Sequence, residues 1–323
     1  MLQPGEEKDH LQQFIKNEEN KITENNVSNI EQFGPNSRQK VDAITADSEW
    51  IEIPLNELPY GKFYKNGTHI FIRSAKTKEI ESFSIINEKN PYDVQLKLNE
   101  ILSACTKITL LDGKIGTYRD IQSGDRDTLS ILISRASAKN GRILQKPTTC
   151  ECNPKEEIMI ELIPANYIYK LEDEDLIPFF DDRDKIYVFE MHNGTEIKLA
   201  PPTIGLEEDI NNYIFYQTTK SQGKVLPNVP LMQNLPYIKA GNGVTKLSIE
   251  QLEQEEFNFT KMNDEMFMVI SDVVDKISFG IEKLKGKCPT CSQEVYTTFG
   301  FPNGARALFI VPNAFKQFVR QRV

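Results

Sequence analysis

Four of the five cysteines in this chain fall into two tight pairs, Cys150-Glu151-Cys152 and Cys288-Pro289-Thr290-Cys291. Thiolates one or two residues apart can point at a single ion, and a Cys-Pro-x-Cys turn is a common zinc knuckle. The spacing therefore predicts one structural Zn2+ held by Cys150, Cys152, Cys288 and Cys291. Any fold that satisfies it must return the later pair to the earlier one and anchor the intervening chain at its base.

Three other readings compete for the same residues. Disulfides suit small secreted scaffolds, and the opening Met-Leu-Gln-Pro-Gly-Glu-Glu-Lys has neither the basic nor the apolar run of a secretory leader, so a reducing compartment is expected. A redox Cys-x-x-Cys calls for a βαβ context, whereas the residues after Cys291 read as a strand. The pairs could also stand apart as unmetallated thiols. Cys105 sits alone on an apolar helix face and reads as a core thiol.

Composition narrows the function classes. A formal charge of -9, from 47 acidic and 38 basic side chains, opposes non-specific binding to phosphate backbones, so no nucleic-acid partner is expected. No stretch approaches the ~20 apolar residues that span a bilayer, and no membrane insertion is expected. Residues 1–48 are rich in Glu, Asn, Gln and Lys with scattered apolar positions, the composition of an extended or disordered arm.

Periodicity predicts an α+β fold of hairpins and helices around a zinc-knuckle-braced core. A first α+β unit covers 49–170 with the Cys150/Cys152 knuckle. An insertion covers 171–246, and 247–323 holds a helical region, the Cys288/Cys291 knuckle and a C-terminal strand segment. Asn66-Gly67 between Gly61–Tyr64 and His69–Arg73 predicts a hairpin, and His192-Asn193-Gly194 between Ile186–Met191 and Thr195–Leu199 predicts another. Helices are expected over 92–108, over 125–138, and from Ser248, with a Ser248/Gln251 capping box, through to Leu284. A strand is expected over 158–163. Pro201–Gly205 and Gln222–Gly243 read as exposed connections. Hairpin, helix, cysteine pair and strand thus occur twice in one order, which suggests two pseudo-repeated halves.

Signs of catalysis are scarce. The three histidines, His10, His69 and His192, form no His-Glu-x-x-His, and no phosphate-binding loop or nucleophile elbow is present. Four thiolates would fill a tetrahedral shell and leave no position for an activated water, so no enzyme is expected. The run Glu172-Asp173-Glu174-Asp175, with Asp181-Asp182-Arg183-Asp184 beyond it, lacks the alternation of an EF-hand and reads as a solvated acidic face. Leu176-Ile177-Pro178-Phe179-Phe180 between them could plug a partner's pocket.

The run Leu58-Pro59-Tyr60-Gly61-Lys62-Phe63-Tyr64, then Asn66-Gly67, then Ile72-Arg73-Ser74-Ala75-Lys76-Thr77-Lys78-Glu79-Ile80, resembles the opening of baseplate hub proteins from contractile-tailed, T-even-like bacteriophages. Asn99-Glu100-Ile101-Leu102, Asp125-Arg126-Asp127-Thr128-Leu129 and the late Cys-Pro-x-Cys before a strand are similar too. The likeness covers roughly 50–163 and, more weakly, 247–300. It departs from the pattern in length and in the Cys-x-Cys of the first knuckle. It implies a structural virion protein of the tail baseplate, made in the host cytoplasm, with other tail proteins as partners and symmetric copies in one assembly. An assembly chaperone absent from the mature particle is the nearest alternative, and a zinc-ribbon nucleic-acid or transcription-associated protein a further one. No catalytic residue transfers.

Overall fold

The computed structural model describes residues 49–309 except 139–142, 192–193, 223–227, 260–263, 278 and 303. The expected arm over 1–48, the His192-Asn193 tip and the last residues from 310 lie outside the described set. The described residues belong to one unit, Ser48–Val323. It is a mixed α+β structure.

An antiparallel sheet opens the fold in the order β1 (Ile51–Ile53), β2 (His69–Ile72), β3 (Thr106–Thr109) and β4 (Ile115–Gly116). Three helices follow the chain around it: α1 (Thr77–Ser84), α2 (Pro91–Cys105) and α3 (Arg126–Ser137). Asn90 caps α2 by accepting the Tyr92 N–H, with Pro91 at the first position where a missing N–H is harmless. Leu98, Ile101, Leu102 and Cys105 then line one buried face, as their spacing requires. The helix stops at Cys105, because β-branched Thr106 and Ile108 enter β3 opposite Ile72 and Ile70.

The hairpin expected around Asn66-Gly67 is only half present. The turn forms, with Thr68 N–H donating to Lys65 O at 3.1 Å and Gly67 at φ +86°. Its first arm is a 3-10 turn, Gly61–Phe63, and β2 pairs with β1 instead. The cause is burial on two sides: Tyr60 and Phe63 enter one core while Leu58 and Tyr64 enter another, which a flat strand could not do without losing one set.

Beyond α3 the chain makes the hairpin β5 (Gln145–Cys150) and β6 (Asn153–Glu161), then β7 (Tyr167–Tyr169). A second sheet holds β8 (Phe180–Asp181), β9 (Ile186–Glu190) and β10 (Glu196–Leu199), so the later expected hairpin is real on both arms. Of the expected exposed connections, Pro201–Gly205 is largely buried and Gln222–Gly243 holds a helix over Val229–Gly241. Helix α4 (Ile204–Lys220) is capped by Thr203, and α5 (Val229–Gly241) by Asn228, whose side chain accepts the Leu231 N–H. Asn228 and Pro230, which resemble loop signals, are the cap and first turn of α5, and Leu231, Met232 and Leu235 are buried. Helix α6 (Ile249–Phe259) begins at the expected Ser248/Gln251 capping box. Helix α7 (Asp264–Lys276) ends earlier than the periodicity predicts, because Ile281 and Leu284 belong to β11 (Ile281–Lys287), which pairs with β7 and with β12 (Glu294–Thr298).

Three apolar clusters result. The largest joins the first sheet, α2, α3 and the inner sides of both cysteine hairpins. A second packs β9, β10 and α7 around Phe63 and Tyr187, and a third joins α4, α5 and α6. The first half opens on a turn, whereas the second opens on the β9–β10 hairpin.

Candidate metal centre

Both cysteine pairs stand at hairpin turns. Cys150 ends β5 at an irregularity after Thr149, Glu151 and Cys152 form the turn, and Asn153 begins β6. Cys288 follows the last rung of β11 with β12, Lys287 opposite Glu294, and Cys291 lies three residues on. The second turn is tightly closed: Cys288 N–H donates to Gln293 O and Ser292 N–H to Cys288 O, both at 2.9 Å, with Ser292 at φ +60°.

Side chains hold one hairpin against the other. Thr148 Oγ1 donates to Tyr296 O at 2.9 Å and Lys146 Nζ to Thr298 O at 2.8 Å, tying β5 to β12. Gly286 allows the close approach beneath, since a Cβ there would come within 2.8 Å of Ile160 Cγ1. Ile160, Leu162, Leu284 and Val295 carry the base of both hairpins into the main core.

The four expected ligands are thereby brought together. Cys150 Sγ lies 3.6 Å from Cys291 Sγ, Cys152 Sγ lies 3.5 Å from Cys288 Sγ, and all four ligand atoms fall within 4.8 Å of one another. Sulfurs about 2.3 Å from a tetrahedral ion would be about 3.8 Å apart, so the spacing suits one metal ion. All four thiols are free. Cys150 and Cys288 are buried, whereas Cys152 and Cys291 face solvent.

The electrostatics also call for a cation. The backbone N–H of Cys291, and less strongly that of Thr290, lowers the Cys288 thiol to about 6, against the effect of desolvation. Cys152 is pushed the other way by its neighbours Cys150, Cys291 and Cys288. Four sulfurs this close resist shedding all their protons unless a positive ion joins them. The arrangement can bind a metal ion with a complete sulfur shell and no vacant position for substrate.

Other singled-out residues lie elsewhere. His69 Nδ1 is 2.6 Å from Glu52 Oε1 on the first sheet, away from the sulfurs. Cys105 is a core thiol as expected, pushed up to about 12 chiefly by burial, and its Sγ donates to Glu79 at 3.5 Å. Glu172 departs from the solvated face assigned to it: it takes an ion pair from Lys62 and a hydrogen bond from Tyr187 at 2.5 Å. Lys62 Nζ in turn sits 4.2 Å from the Phe180 ring centre and 4.8 Å from that of Phe279. Glu174 and Asp175 remain exposed. Of the apolar insert, Leu176 anchors in the second core while Ile177 and Phe179 are exposed.

A polar junction escaped the sequence reading altogether. Arg119 bonds Glu208 at 2.7 Å and Asp209 at 2.6 Å, and buried Arg126 pairs with Glu207 while its Nε donates to Asn99 Oδ1 at 2.8 Å. Asn99 Nδ2 completes the set on Glu208 at 2.8 Å. Glu207, Glu208 and Asp209 lie in the first turns of α4, where a helix favours negative charge, and that acidic helix start was the available signal. One cleft of about 330 Å3 is lined by Ser123, Glu207, Met232 and Tyr237, and another of about 390 Å3 by Glu88, Gln95, Arg126 and Asp127.

No family model, curated protein or solved structure matches this chain.

Proposed function

We propose that this chain is a non-enzymatic structural protein of a contractile phage tail, acting in or on the baseplate, with a structural Zn2+ bracing its α+β body. The observation that carries the reading is the convergence of four sulfurs from two hairpins onto one ion-sized centre. A shell made wholly of thiolates favours zinc over harder cations and serves to fasten the chain. The two cysteine hairpins read as related half-sites, and the resemblance of 58–80 to baseplate hub proteins supplies the biological setting.

Function then resides in surfaces. Leu111 and Ile115 on the first sheet's edge, Leu171, Ile177 and Phe179 on the acidic loop, and Phe215 on α4 are large apolar side chains left exposed, the kind of surface that tail proteins would cover. Among the described residues no helix is long and apolar enough to cross a membrane. The nucleic-acid alternative is weakened because Lys283 and Lys285 beside the knuckle are engaged by Glu282 and Glu294 at 2.7 and 2.5 Å.

The test is quantitative mass spectrometry of purified tailed particles from a host expressing the chain. Its presence at fixed stoichiometry with tail proteins supports a virion component. Presence only in assembling intermediates supports the chaperone alternative, and association with neither contradicts the baseplate reading.

A further inference from the structure

The centre is lopsided in a way that a purely structural brace does not require. Each sulfur pair crosses between hairpins and joins one exposed sulfur to one buried sulfur: Cys152 with Cys288 at 3.5 Å, and Cys291 with Cys150 at 3.6 Å. An oxidant arriving from solvent meets Cys152 and Cys291 first, and each then has a buried partner already in van der Waals contact.

We propose that the centre is an oxidative modification site, which exchanges its metal brace for two cross-hairpin disulfides, Cys152–Cys288 and Cys150–Cys291. The inference rests on the metal reading for its starting state and on the sulfur geometry for its product. The oxidant class is a peroxide. An exposed thiolate attacks one peroxide oxygen, the O–O bond breaks, and the sulfur becomes a sulfenic acid as the other oxygen leaves as water. The buried thiolate then displaces the sulfenic oxygen as a second water and forms the S–S bond. Each disulfide consumes two thiolates, one peroxide and two protons and yields two waters. The divalent ion departs with its charge unchanged.

The geometry favours this pairing. Reaching a disulfide length of about 2.05 Å requires each pair to close by roughly 1.5 Å, a movement of side chains at the turn tips. The ladders below, Thr149 with Glu157 and Lys287 with Glu294, need not be broken. Because both bridges cross between hairpins, they replace the closure that the ion provided. The oxidised chain keeps its fold, whereas bridges within each pair would leave the hairpins unjoined.

The experiment treats the full zinc-loaded chain with stoichiometric hydrogen peroxide, follows released zinc with a chromogenic chelator, and maps disulfides by peptide mass spectrometry without reduction. The expected result is release of about one equivalent of zinc with Cys152–Cys288 and Cys150–Cys291 linkages, reversed by a thiol reductant plus zinc. Zinc retained with all four cysteines reduced would overturn the proposal. So would bridges confined to Cys150–Cys152 and Cys288–Cys291, or sulfinic and sulfonic products in place of disulfides. A chain that carries no zinc as purified and takes none up fails the metal reading, while its disulfide map still decides the pairing. In a Cys288→Ser variant, Cys152 is expected to stop at a sulfenic acid that dimedone traps, with Cys150–Cys291 still formed; Cys152 bridged elsewhere would count against it.

Discussion

Two fastenings join distant parts of this chain, and they differ in kind. The cysteine centre links Cys152 to Cys288 across 136 positions, and the polar junction links Arg119 to Asp209 across 90. The junction supplies its own counter-charges, since two arginines face three carboxylates on one helix start. The four cysteines could hold a metal ion, and on the reading proposed above that fastening is complete only when a cation arrives. On the readings proposed above, one fastening is permanent once folded, and the other is conditional on metal and on the state of sulfur.

The largest expected effect comes from breaking the conditional fastening. Cys288→Ser with Cys291→Ser should abolish metal binding and lower stability by about 4 kcal/mol, the order expected when a link closing a loop of more than a hundred residues is lost. Metal content and denaturant unfolding of the two chains check this together, and equal stability would place the brace outside the fold's energetics. Adding a strong chelator to the unaltered chain should move its unfolding in the same direction.

Breaking the permanent fastening comes next. Arg126→Leu strips buried Asn99 and Glu207 of their cation, and about 3 kcal/mol should be lost while metal content is unchanged. Loss of metal in this variant would show that the two fastenings are coupled.

Asp125, beside Arg126, gives the junction side a pH signature. Burial raises its carboxyl to about 7, against the Tyr60 N–H and Tyr64 O–H that donate to it. The folded chain therefore keeps this proton to higher pH than the unfolded chain, so the group favours folding at acidic pH and that advantage is lost as pH rises to about 7. Thermal melts from about pH 5 to pH 8 should show the unaltered chain losing ground to Asp125→Asn as pH rises, and parallel curves would contradict the assignment.

Smaller effects sharpen the local picture. Gly286→Ala drives a methyl toward Ile160 and should cost about 1 kcal/mol, with a matching loss of metal affinity because both hairpins rest on that contact. Lys285→Ala removes only an exposed ion pair with Glu294 and should leave metal content unchanged.

The same contrast explains what could be read from sequence. The cysteine cluster was legible because coordination demands particular residue types at short local spacing, which a linear string displays. The α2 and α3 helices and the β9–β10 hairpin were legible because apolar periodicity and turn chemistry are local as well. The junction was hidden: nothing local marks Arg119 as the partner of Asp209. The missing first arm around Phe63 has a related cause, since its conformation is set by two cores at once. Helix α5 was misread because asparagine and proline serve loops and helix starts alike, and only tertiary burial of Leu231 and Leu235 decides between them.

The most direct test of the account is the metal itself, by elemental analysis and X-ray absorption on the full chain purified without added metal. The account expects about one zinc per chain with four sulfur neighbours at about 2.3 Å. A chain devoid of metal, or a metal held by oxygen and nitrogen ligands, would contradict it.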